Sequence, residues 1–199
     1  MKNRALYMNG KLNLAFKELD IPKPQHGEVL LKIGYCGVCG SDVHFYESGC
    51  IGTTPIKGDL ILGHEAAGTV EAVGEGVTNV KVGDRVVLEP GIGCGHCEYC
   101  KSGRYNLCPD MQFISCPPYQ GAMRNYITHP AHLVYPLPEN VSTLEGALIE
   151  PLCVGMHAAN LGGVKLGDTV VILGAGCIGL TTLAACKAMS ASKIIVTDL

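Results

Sequence analysis

Four cysteines crowd into one short stretch rich in glycine and charge, as Cys94-x2-Cys97-x2-Cys100-x7-Cys108. This spacing constrains the fold more than any other feature of the chain. Chance seldom places four thiols so close together, and four thiolates at short spacing can close a tetrahedral zinc site with no open position. Metal binding of that kind is coupled to folding, so a loop there keeps its shape without a core of its own. The site is therefore expected to be structural. His96 lies inside the same lobe and competes as a ligand in principle, but four sulfurs already fill a tetrahedron.

The chain has 199 residues and 11 cysteines, an odd number that cannot pair completely. With no secretory apolar segment at the N-terminus, spaced cysteines indicate metal rather than disulfides. Hydrophobic residues at 47% and charged residues at 17% describe a globular chain, not a disordered one. A net charge of -3 offers no electrostatic footprint for nucleic acid or an anionic membrane. No apolar run approaches a membrane span, and the expected location is the cytoplasm.

The first 140 or so residues read as short strands between turns, with runs at 27–33, 68–74 and 83–88 alternating in strand fashion. Near residue 142 the pattern changes. Ser142 and Glu145 have capping-box spacing before an apolar stretch, and Pro151 is expected to end or bend that short helix. Thr169-Val170-Val171-Ile172-Leu173 then reads as a buried parallel strand. A glycine-rich turn, a helix from about Ile178 to Ser190 and a second strand over 193–197 complete a βαβ unit. The expected class is mixed α/β: a mostly-β domain over 1–150, then the first βαβ of a dinucleotide-binding domain over 151–199.

Two further constellations carry chemistry. Cys39-Gly40-Ser41-Asp42-Val43-His44, Gly63-His64-Glu65 and, much later, Glu150-Pro151 supply thiolate, imidazole and carboxylate. That donor set suits zinc, and three protein ligands leave a fourth position for water or substrate. The other is Gly174-Ala175-Gly176-Cys177-Ile178-Gly179, directly after an apolar strand and opening a helix. Its first glycine allows the tight turn, its second lets the backbone approach a pyrophosphate, and its third lets helix and strand pack closely. Asp198 falls 19 residues after Gly179, where a carboxylate accepts hydrogen bonds from ribose hydroxyls. A carboxylate there repels a 2′-phosphate, which favours NAD over NADP.

On these motifs the sequence resembles the zinc-containing medium-chain alcohol dehydrogenases, and within them the sorbitol (L-iditol) or xylitol dehydrogenase branch. Gly63-His64-Glu65-Ala66-Ala67-Gly68, with Gly74, Val77 and Gly83-Asp84-Arg85-Val86, is similar to the family's zinc signature. The loop 37–44 and Ala147-Leu148-Ile149-Glu150-Pro151-Leu152 resemble the polyol branch, where other members place a cysteine in the latter region. The resemblance implies a GroES-like catalytic domain joined to a Rossmann domain of which only the start is present, so the chain is expected to be a fragment with exposed apolar sheet faces. It implies zinc ligands Cys39, His64 and Glu65, with Glu150 either a ligand or a partner of the zinc-bound water. Ser41 would touch the substrate oxygen, His44 would end a proton relay, and Asp42 would orient the histidine ligand. The implied cofactors are two Zn2+, one catalytic and one structural through Cys94, Cys97, Cys100 and Cys108, together with NAD at Gly174, Gly176, Cys177, Ile178, Gly179 and Asp198. The implied activity is NAD-linked oxidation of a polyol to a ketose by a homo-oligomer, dimer or tetramer. The alternatives are another alcohol, such as threonine or butanediol, or a non-catalytic zinc-stabilised fragment. Cys36, Cys50, Cys116, Cys153, Cys177 and Cys186 read as structural, and Phe113 and Tyr46 as either pocket or packing residues.

Overall fold

The strand that begins at Glu28 carries Val29 and Leu31 into a core at 0% and 1% exposure. In a computed structural model, which describes residues 2–199, that strand runs to Cys36. It lies inside a five-stranded antiparallel sheet, between Tyr126–Pro130 on one side and Ala66–Val73 on the other, with Arg85–Leu88 and Val134–Pro136 beyond. Val70, Val86, Leu88, Ile127 and Val134 turn inward from these strands, and Ile114 and Ala122 close the core from the loops. The pairing of Glu28–Cys36 with Ala66–Val73 shifts register between Ile33 and Tyr35. An irregularity of this kind bends a strand and re-aims the segment after it; here that segment is the loop carrying Cys39.

A smaller sheet joins Leu14–Leu19, Asn3–Met8 and Leu60–Ile61. Beside it a second cluster of Met8, Leu60 and Leu62 holds Phe45 of helix α1 (Gly40–Ser48), so the helix next to Cys39 is anchored by its own apolar side chain.

The chain divides into two compact units, residues 1–147 and 148–199. In the second, Thr169–Leu173 and Lys193–Thr197 pair in parallel across an intervening helix, the βαβ order expected from the sequence. Only one face of that pair is covered by described residues. Ile172 is buried, while Val171 and Leu173 are 57% and 83% exposed.

The structure corrects one expectation. The capping box at Ser142 and Glu145 is present, but the helix it starts spans only Thr143–Gly146. Pro151 does not end a helix. It occupies the first turn of a longer one, Ile149–Leu161, where the backbone N–H that proline lacks has no intrahelical partner to lose. No helix among the described residues is long and apolar enough to cross a membrane.

Candidate metal centres and nucleotide turn

The cysteine lobe is built from backbone turns that point N–H groups at sulfur. Cys97 N–H donates to Cys94 Sγ, Cys100 N–H to Cys97 Sγ and Cys94 N–H to Cys108 Sγ, each at 3.4 Å. Cys97 is thereby the N-cap of a one-turn helix, Glu98–Lys101. All four sulfurs lie within 4.8 Å of one another, and Cys94 and Cys100 are 4.0 Å apart. With Zn–S bonds of about 2.3 Å, a tetrahedron requires sulfurs about 3.8 Å apart, so the set fits the ion. Backbone N–H groups of His96 and Cys97 lower the Cys94 thiol to about 6, whereas desolvation and its three neighbours push Cys100 up to about 12. One negative charge is welcome there and further ones need a cation. None of the eleven cysteines is in a disulfide.

The second centre gathers residues from two loops. One ligand atom each of Cys39, His64 and Glu65 lies within 4.8 Å of the others. His64 and Glu65 are buried at 7% and 8% exposure. Glu65 fits because residue 37 is glycine. A Cβ there would stand 2.1 Å from Glu65 Oε2, and Gly37 N–H also donates to Glu65 O at 2.8 Å. The His64 ring meets the edge of Phe113 with centroids 5.2 Å apart, which puts Phe113 at the metal group. Cys36 is not among the three converging ligand atoms, and its thiol is pushed up to about 12 by burial and by the negative charges of Asp42 and Glu65.

Asp42 acts on the ligand loops through their backbone. Its carboxylate accepts from Cys39 N–H at 3.0 Å, Gly63 N–H at 3.1 Å and Ser115 Oγ–H at 3.2 Å. It therefore pins the two ligand loops and a third segment, holding His64 through the backbone of its neighbour. Ser115 is a member of this network that sequence reasoning missed. It is 4% exposed with φ of 70°, a left-handed conformation uncommon for serine, and no spacing pattern marks it. Ser41 is half-buried and His44 exposed, three residues apart and so neighbours on α1. Tyr46 is exposed at 37%.

In the second unit, Gly174 N–H donates to Thr197 O at 2.8 Å, closing the turn between the strand and helix α5 (Cys177–Ala188). (Helices α2, α3 and α4 are Glu98–Lys101, Thr143–Gly146 and Ile149–Leu161.) A Cβ on Gly174 or Gly176 would meet nothing within 4 Å, so the turn is an open cradle of bare backbone. On Gly179 it would stand 1.9 Å from Gly174 O, so the helix seats against the turn only without a side chain there. Gly176 is the helix N-cap, Cys177 and Ile178 are exposed in the first turn, and no acidic residue stands in that turn to oppose an anion. Asp198 accepts from Ala175 N–H at 2.5 Å and Leu199 N–H at 2.7 Å, which lowers its carboxyl below the ordinary range. It thus stands at the lip of the cradle. Glu150 lies in the first turn of α4.

Residues 25–139 match the model of the alcohol dehydrogenase GroES-like domain. Sorbitol dehydrogenase of Macaca fascicularis is 49% identical over all of this chain and 56% of its own length. A probable D-xylulose reductase A of Aspergillus clavatus is 44% identical over all of this chain and 56% of its own. A crystal structure of an oxidoreductase/dehydrogenase of unknown specificity from Escherichia coli superposes with a TM-score of 0.95 at 49% identity, covering all of this chain and 58% of that one. The chain thus spans little more than half the length of the relatives it matches. The matched domain takes in the four cysteines and the Cys39, His64 and Glu65 group, and the chain belongs to the zinc-containing medium-chain alcohol dehydrogenase family, in its sorbitol dehydrogenase and xylulose reductase branch.

Proposed function

We propose that this chain carries the metal centres and the first part of the nucleotide site of an enzyme that oxidises a secondary alcohol of a polyol, of the sorbitol, xylitol or L-iditol type, to a ketose with NAD as hydride acceptor. The observation that carries the reading is the convergence of Cys39, His64 and Glu65, a soft thiolate, an imidazole and a carboxylate, beside the aromatic edge of Phe113. In this reading residues 1–150 form the catalytic domain and 151–199 open the dinucleotide-binding domain.

Zinc held by these three side chains would supply a Lewis acid that lowers the pKa of a substrate hydroxyl. Ser41 would take the hydroxyl proton at Oγ and pass it to His44, whose exposed ring returns it to solvent. Glu65 would be one carboxylate for this chemistry, and Glu150 would be either a ligand or a partner of the zinc-bound water. Phe113 and the buried side of His64 would limit water at the reacting carbon. The turn 174–179 would cradle the pyrophosphate at the N-terminus of α5, and Asp198 would accept from the ribose hydroxyls and repel a 2′-phosphate. Cys94, Cys97, Cys100 and Cys108 would hold a second zinc with no open position.

The test is zinc content together with turnover. The chain should bind two zinc ions, with Cys39→Ser losing one and Cys97→Ser the other. NADH formation across a panel should favour sorbitol or xylitol. A folded chain without zinc would overturn the metal reading, and a strong preference for threonine or 2,3-butanediol would overturn the polyol assignment.

A further inference from the structure

Metal-binding side chains meet in a third place, on the rim of the cysteine lobe. Cys94, His96 and Asp110 each place one sulfur, nitrogen or oxygen within 4.8 Å of the other two. His96 and Asp110 are both exposed, and each stands two residues past a cysteine of the tetrahedral set, Cys94 and Cys108. The closure that gathers the four sulfurs therefore also gathers this imidazole and this carboxylate. The His96 ring is not loose. Its Nδ1 lies 2.9 Å from Cys94 O, and donation from Nδ1–H leaves the lone pair on Nε2, the arrangement by which a ligating histidine is usually oriented.

The chemistry of the three donors selects the ion. Sulfur, imidazole nitrogen and one carboxylate oxygen suit a borderline-soft divalent cation and not Mg2+ or Ca2+, which take oxygen. Three protein ligands on an exposed rim leave the remaining position to water. Cys94 Sγ belongs to both groups, so it would be shared between the two ions. A thiolate can bridge in this way because it has more than one lone pair.

We propose that Cys94, His96 and Asp110 form a third, solvent-facing metal position, which takes Zn2+ or Cd2+ beside the ion in the four-cysteine site. The proposal rests on the four-cysteine reading, since Cys94 belongs to both groups.

The experiment is calorimetric titration of the zinc-loaded chain with Zn2+, and separately with Cd2+, in the wild type, His96→Ala and Asp110→Asn. The wild type should bind one ion beyond its resident zinc, at least tenfold more weakly than the resident ions. Both variants, changed only on the surface, should lose that binding and keep their resident zinc. Absence of the extra ion, or equal binding in wild type and variants, would overturn the proposal, as would loss of resident zinc in either variant. If Cys97→Ser kept the full resident zinc, the four-cysteine reading itself would have failed, a result readable apart from the rim titration.

Discussion

Asp42 is 3% exposed and accepts three hydrogen bonds, those from Gly63 and Ser115 buried and that from Cys39 part-buried. Its nearest link is local: Cys39 and Asp42 stand at the N-cap and third positions of α1, the geometry of a capping box. The links to Gly63 and Ser115 cross 21 and 73 residues, and no local pattern announces a contact of that range. Replacing Asp42 by alanine would strand two backbone N–H groups and a hydroxyl in a buried place, at about 1–3 kcal/mol each, though not additively. Asp42→Ala is expected to lower the denaturant midpoint by several kcal/mol equivalent and to shed the zinc of the Cys39 group while keeping that of the four cysteines. Ser115→Ala, which removes one donor, should cost roughly 1 kcal/mol. Zinc analysis beside urea unfolding reads both, and an Asp42→Ala chain that kept two zincs and its stability would refute the clasp.

Among the elements, the βαβ unit was the most legible. Thr169–Leu173 and Lys193–Thr197 lie where the apolar runs place them, because a β-branched run between turn residues has few other uses. Helix α4 was not legible, because Pro151 reads as a terminator unless the helix is known to begin two residues before it. Its small residues then conceal how closely it packs: a Cβ on Gly155 would stand 2.5 Å from the Thr181 backbone of α5. Gly179 makes the same point at the nucleotide turn and yields a test. In Gly179→Ala the methyl would stand 1.9 Å from Gly174 O, so α5 must move off the turn, at a cost of about 1–3 kcal/mol. Gly176→Ala meets no atom and keeps negative φ, so it should fold within about 1 kcal/mol of the parent while filling the cradle. NADH titration is expected to weaken at least tenfold in both variants, with only Gly179→Ala also losing thermal stability. Two variants alike in stability would show that the close approach does not matter.

At the scale of the whole molecule, the metal groups were legible because ligand chemistry needs particular residue types, whereas the response of stability to pH depends on burial, which spacing does not reveal. Nothing in the sequence separates His129 from the chain's other histidines. In the fold it is 1% exposed, on the edge strand Tyr126–Pro130, with Nε2 2.8 Å from Glu89 O. Burial lowers its pKa from 6.5 to about 4, against a smaller opposing effect from the Glu89 carbonyl. The folded protein therefore keeps the ring neutral, while the unfolded chain takes up a proton once the pH drops below about 6.5. The stability this difference contributes is complete above pH 6.5. It drains as the pH falls through the window between the two values and is gone below about 4, where both states are protonated. At about 1.4 kcal/mol per pH unit, the whole window is worth on the order of 3 kcal/mol. Acid also releases thiolate-bound metal, so the wild-type curve alone cannot isolate the histidine. His129→Gln can retain an N–H donor but cannot titrate. Its unfolding free energy should differ from wild type by a constant amount above pH 6.5, and the wild type should then lose roughly 3 kcal/mol more than the variant on the way to pH 4. Urea unfolding of both chains at pH 7.5, 6, 5 and 4 measures this, and parallel curves over that range would mean that His129 is protonated in the fold or reached by water.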